Sequence, residues 1–301
     1  MKKTLLLSVA CCATVIVLPA QAALNVLACE PEWAALATEL GGDKVKVSSA
    51  TTAQQDPHRI EARPSLIARA RNADLLVCTG LELEAGWLPI LVQQSGNARI
   101  MPGQPGYLEA GSVVPRLDVP GRVDRSEGDV HAAGNPHIQQ DPRNIARVAD
   151  ALARRLGEID AANAGFYQAR HKDFAGRWSA AVQKWEQQAA PLKGAGVVEY
   201  HRNMAYLLNW LGLRSVATIE PKPGVEPSAA HLSGLVRQLQ REPAKMIVTA
   251  AYQDARATKW LSEQTRIPAV VVPFTVGGNE RAANLFGLFD DTVQRLLDTA
   301  K

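Results

Sequence analysis

The chain has 301 residues, 47% of them hydrophobic and only 5% aromatic, with 33 basic side chains against 30 acidic ones. Two of the basic residues, Lys2 and Lys3, lie at the extreme N-terminus, so the remainder is nearly neutral and contains no basic run. That balance gives no support for nucleic acid or an anionic membrane surface as partner, and the length exceeds what one compact core usually organises, so two domains are expected.

The leader comes first. Lys2-Lys3, the apolar run Thr4 to Leu18 and the small-residue site Pro19-Ala20-Gln21-Ala22 together form a secretory signal peptide over residues 1–22. Ser8-Val9-Ala10-Cys11 is a poor lipidation box, so the expected product is free in a periplasm, with no membrane insertion once the leader is removed. Cys29 and Cys78 are then the two remaining cysteines. In an oxidising compartment they can pair as a disulfide, or they can be two small buried residues in separate strands.

Strand and helix patterns alternate through residues 23–159. Asn25 to Cys29, Val45 to Val47 and Asp74 to Thr79 read as strands, Glu32 to Leu40 and Ser65 to Asn72 as helices, and Gly103 to Ser126 as a Pro- and Gly-rich loop. A further helix is expected over Pro142 to Leu156. Asp160 is the expected cap of a longer helix, residues 160–190, on which Phe166, Arg170, Phe174, Trp178, Val182, Trp185 and Ala189 form a stripe of helical period. Some thirty residues span roughly 45 Å, enough to bridge two domains, and so apolar a stripe implies packing against both rather than a tryptophan platform for a ligand. The alternation returns over residues 191–301. Strands are expected at Gly196 to Val198, Ala244 to Ala250 and Pro268 to Pro273, and helices at Ala205 to Leu211, Ser228 to Gln240 and Ala255 to Thr265. Runs apolar on both faces argue for parallel sheets covered by helices, an α/β chain of two such units.

Six histidines are present. His58 and His137 each follow a proline, in Asp56-Pro57-His58 and Asn135-Pro136-His137, which restricts the backbone where a ligand must hold one direction. His201 ends the run Val197-Val198-Glu199-Tyr200, at the carboxyl end of a strand, where open α/β sheets bind ligands. Three imidazoles suit zinc, copper, nickel or iron better than magnesium or calcium, so the three form a candidate interdomain metal site; the plain alternative is three unrelated loop histidines. His131 is an ambiguous auxiliary, His171 falls on the solvated side of the long helix, and His231 heads a helix where a structural role fits better than ligation.

The ordered set of motifs resembles the metal-binding and zinc-uptake substrate-binding proteins of ATP-driven (ABC) transporters over essentially all of the chain after the leader. It comprises Glu39-Leu40-Gly41-Gly42-Asp43, Asp56-Pro57-His58, Pro64-Ser65, Ala73-Asp74-Leu75 and Asn135-Pro136-His137 with Asp141-Pro142. Tyr200-His201, Ile219-Glu220-Pro221-Lys222-Pro223-Gly224, Pro227-Ser228 and His231-Leu232 complete it. The resemblance implies two α/β domains joined by one long rigid helix, a metal in the cleft between them, and His58, His137 and His201 at three of four ligand positions. Histidine at the third resembles the zinc branch, so Zn2+ is the expected ion ahead of Mn2+, and a membrane permease of an ABC importer is the expected partner of a monomer. The family's strand neighbourhood also brings Cys29 and Cys78 together, favouring a disulfide. The aspartate usual at the fourth position is missing from Val272-Pro273-Phe274-Thr275-Val276-Gly277-Gly278-Asn279-Glu280, which leaves water, Glu280, Asp254 or His131 as candidates. The long helix should restrict hinge motion and leave adjustment to loops near His201 and residues 275–280. Two other functions compete. A secreted zinc hydrolase also uses three histidines and a water, but no HExxH is present and only Glu199 and Glu61 are nearby bases. A haem, cobalamin or siderophore receptor needs a larger aromatic or basic cleft.

Overall fold

A computed structural model of the chain describes residues 22–122, 128 and 130–301. The expected signal peptide, apart from Ala22, lies outside those residues, as does the end of the expected 103–126 loop. Two four-stranded, wholly parallel sheets organise the rest. The first runs in the order β2-β1-β3-β4, from β1 (Leu24–Ala28), β2 (Val45–Ser49), β3 (Leu75–Cys78) and β4 (Tyr107–Glu109). The second repeats it as β6-β5-β7-β8, from β5 (Gly196–Glu199), β6 (Arg214–Thr218), β7 (Met246–Ala250) and β8 (Ala269–Val272).

Strand alternation explains the layering. Val26, Ala28, Leu75 and Val77 face one way and Leu27, Cys29, Leu76 and Cys78 the other, so both faces of the first sheet are apolar and both are covered. Its outer face is packed by α2 (Pro64–Arg71) and α3 (Leu88–Ser95) through Leu66, Ala70, Leu88 and Leu91. Its inner face joins α1 (Pro31–Gly41) and α4 (Pro142–Ile159) in a core that continues without a break into the second sheet. There Val197, Met246, Val248 and Val272 face inward beside α6 (Ala205–Leu211) and α9 (Leu285–Ala300). Val198, Val216 and Ile247 face outward under α7 (Ala229–Arg241) and α8 (Ala255–Thr265).

The long helix α5 (Ala164–Ala189) links the two sheets, with short 3-10 turns extending the helical run from residue 161 to residue 192. Trp178 stacks on Phe174 and meets Phe286 edge-on at 4.9 Å between centroids, and its indole N–H donates to the Pro142 carbonyl at 2.8 Å. Trp185 packs against Phe289 and donates to Asp290. Both tryptophans are therefore structural, each with its polar edge satisfied.

Several expectations need correction. Asp160 stands at the N-cap of the helical run as well as ending α4, but its carboxylate accepts from the Tyr167 hydroxyl and the Asn163 amide at 2.7 Å each rather than from a backbone N–H. The expected loop contains β4, a three-residue edge strand too short to show a period. His171 is partly buried on α5 rather than solvated. The elements β6, α3 and α9 add to those expected. Among the described residues no helix is long and apolar enough to cross a membrane.

Candidate metal centre

The carboxyl ends of both sheets point at one cleft, and the loops that leave them carry the histidines. His58 lies between β2 and α2, where the Trp87 indole N–H pins its loop by donating to the Pro57 carbonyl at 2.9 Å. His137 leads through one 3-10 turn into α4, whose start is set by Asp141 accepting from the Arg143 N–H and by Pro142 in the first turn. The Asn135 side chain accepts from the His137 N–H at 3.0 Å and donates to the Arg202 carbonyl at 2.8 Å, tying the His137 loop to the segment after β5. His201 lies two residues beyond the end of β5 and opens the turn into α6.

The three side chains come from three separate loops and converge: one ring nitrogen from each of His58, His137 and His201 lies within 4.8 Å of the others.

Two of the rings are held by carboxylates. Asp56 Oδ1 lies 2.8 Å from His58 Nδ1, and Glu220 Oε2 lies 2.7 Å from His201 Nδ1. Each carboxylate fixes its imidazole as the Nδ1–H tautomer and leaves the Nε2 lone pair for an ion, the arrangement that orients histidine ligands in metal sites. Burial pushes the Asp56 carboxyl upward, but hydrogen bonds from His58 and the charges of His58 and Arg59 outweigh it and hold the group below the usual aspartate range. His137 differs. It is 1% exposed, and neither ring nitrogen has a hydrogen-bond partner among the described residues. Burial, and then repulsion from His58, His201 and His131, drive its pKa well below the ordinary imidazole value, so the ring is neutral with a lone pair available. Phe274 covers it edge-on at 5.7 Å and is itself packed by Tyr252.

The remaining candidates divide. His131 stacks on His58 with centroids 5.3 Å apart and its Nε2 lies 3.3 Å from His58 Nε2, although it stands outside the three-way cluster. Asp254 lines a cavity with His58 and His201, but its carboxylate caps α8 through the Arg256 N–H and pairs with the Arg256 guanidinium. Glu280 is exposed and lines none of the cavities beside the histidines. In the segment where an aspartate was missed, Thr275 instead donates to Glu32 across the cleft, and Phe274 presents its ring to His137. Glu199, one of the two nearby bases, is fully buried and bound by Ser215 and Arg202. His231 caps nothing with its ring; its backbone N–H is the group received by Ser228 at the start of α7.

Cys29 and Cys78 form a disulfide at the carboxyl ends of β1 and β3, with Cα atoms 4.8 Å apart. Beside it lies a buried acidic group. Thr79 donates through its N–H to Glu84 and through its hydroxyl to Glu30, and the Trp33 indole donates to the Thr79 hydroxyl. Burial lifts Glu30 well above the ordinary value, and it lifts Glu84 and Glu32 to about 7.

A pair of parallel-sheet lobes linked by a long helix, with nitrogen donors gathered in the cleft, defines a helix-linked solute-binding protein for a metal ion. The chain belongs to the family described as "Zinc-uptake complex component A periplasmic", which it matches over residues 26–299. It is 25% identical over 257 residues to the metal ABC transporter substrate-binding lipoprotein ScbA of Streptococcus cristatus, covering 84% of this chain and 80% of that one. It is 23% identical over 261 residues to the manganese ABC transporter substrate-binding lipoprotein PsaA of Streptococcus anginosus, with the same coverage. A crystal structure of ZnuA superposes with a TM-score of 0.75 at 21% identity, covering 93% of this chain and all of that one. The family consists of solute-binding proteins for metal transport rather than enzymes, which sets aside both the hydrolase and the large-cofactor receptor.

Proposed function

We propose that this protein captures zinc in a periplasm, through His58, His137 and His201, and delivers it to the membrane permease of an ABC importer. The observation that carries the reading is His137: a neutral imidazole buried to 1% exposure, with neither nitrogen partnered among the described residues, is costly unless an ion takes one of them. The carboxylates behind His58 and His201 support it, because they direct two further lone pairs into the same space. Zinc is favoured over manganese because the three donors are neutral nitrogens, whereas manganese suits carboxylate, carbonyl and water oxygens. The leader over residues 1–22, cleaved after Ala22, would place the receptor outside the cytoplasm as a free monomer.

Competitive titration with a chromophoric chelator tests this directly. Wild-type protein should bind one zinc per chain more tightly than manganese, and His58→Ala, His137→Ala and His201→Ala should each lose most of that affinity. Retention of wild-type zinc affinity by all three variants would refute the site.

A further inference from the structure

We infer that His131 is the fourth protein ligand of the captured ion, in place of the carboxylate that this chain lacks. The inference rests on the three-histidine site. Its geometric basis is the 3.3 Å between His58 Nε2 and His131 Nε2. Two nitrogens bound to one tetrahedral zinc at about 2.0–2.1 Å stand roughly 3.3–3.4 Å apart. The two rings already have the spacing of neighbouring ligands.

Proton placement assigns the roles in this contact. Asp56 holds the hydrogen of His58 on Nδ1, so His58 Nε2 is an acceptor. His131 Nε2 is then the donor in that contact. As a ligand His131 would present its Nε2 lone pair and carry its ring hydrogen on Nδ1.

The segment that carries His131 is tied to both sides of the cleft. The Ala132 N–H donates to Glu82 Oε2 at 2.6 Å. Gly128, at φ +85°, lies so close to the loop after β6 that an added Cβ would stand 2.3 Å from the Pro223 carbonyl oxygen. His131 also lines a cavity of about 160 Å³ together with His137 and His201. The carboxylate on that cavity wall, Asp118, is occupied by the Arg202 guanidinium at 3.0 Å through both oxygens. With His131 as fourth ligand the site has four imidazole nitrogens, which disfavours manganese further.

X-ray absorption at the zinc edge, on the zinc-loaded full chain, tests the assignment beside chelator competition. Wild type should show four imidazole nitrogens, and His131→Ala three with one light atom. The variant should bind zinc roughly 10–100-fold more weakly, the least expected when even a residue that only orients a ligand costs that much. His131→Gln should do the same, and the melting temperatures of both metal-free variants should match wild type, which separates ligation from folding. Three imidazoles in wild type, with unchanged affinity in both variants, would overturn the inference while leaving the three-histidine site standing. Unchanged zinc affinity in His137→Ala would instead overturn the site itself, and this inference with it.

Discussion

Replacing Glu220 by alanine isolates the orientation of His201 from its ligation. The Glu220 carboxylate receives both the His201 Nδ1 hydrogen, at 2.7 Å, and the Gly224 N–H, at 3.0 Å, from a position only 15% exposed. Its loss frees the imidazole to rotate and to change tautomer. Loss of such a partner costs about 10–100-fold in metal affinity, or roughly 1.4–2.8 kcal/mol. Because a bound ion stabilises only the folded chain, with zinc in excess that difference reappears in thermal unfolding. At about 2–4 °C per kcal/mol for a protein of this order of size, the zinc-induced rise in melting temperature should shrink by roughly 3–11 °C. Differential scanning calorimetry with and without zinc measures it, and subtracting the metal-free value removes any loss from the Gly224 contact. Glu220→Gln retains an acceptor for Nδ1–H and should fall between the two. An undiminished zinc-induced rise in Glu220→Ala would show that Glu220 does not orient a ligand.

Other outcomes can be stated briefly. Glu32 keeps its proton in the folded state to about pH 7, whereas its ordinary value is 4.5, so the unfolded chain binds fewer protons between those limits and stability falls as pH rises through them. Urea unfolding of metal-free Glu32→Gln should therefore show a gain over wild type at pH 8, of no more than about 3 kcal/mol, and none at pH 4.5. His137 acts in the opposite direction: the unfolded chain takes up a proton that the folded state refuses, so wild-type stability falls as pH drops through the ordinary imidazole range, and His137→Asn should flatten that acid limb in the same assay. Reducing the Cys29–Cys78 disulfide, or replacing both residues by alanine, should cost about 2–4 kcal/mol in unfolding experiments and leave zinc affinity unchanged in the titration.

The sequence exposed the donors more readily than their supports. His58 and His137 stand out because a proline precedes each, and His201 because it ends an apolar run. Asp56 could have been read beside them, since an aspartate two residues before a histidine can turn back on it. Glu220 could not, because it reaches His201 only through the pairing of β5 with β6, which brings Glu220 N–H to the Tyr200 carbonyl. That pairing was itself hard to see. β6 is an edge strand reading Arg-Ser-Val-Ala-Thr, half exposed and without an apolar run, whereas the buried β7 has one. By contrast α9 lay open in its period of Leu285, Leu288, Phe289, Val293 and Leu296. Asp160 does stand before the long helical run as expected, but its carboxylate receives the Tyr167 hydroxyl in place of a backbone N–H.

The packing of α9 has a consequence for how the molecule comes into being. This helix, at residues 285–300, rests on α5 and also touches α1, at residues 31–41. Phe286 and Phe289 complete the aromatic cluster around Trp178 and Trp185. The inner core of the first lobe therefore stays unfinished until residues some 250 positions later have been made, a long loop to close before its contacts can contribute. In a chain built in this way the first lobe closes its inner core only once the last helix is available to pack on it.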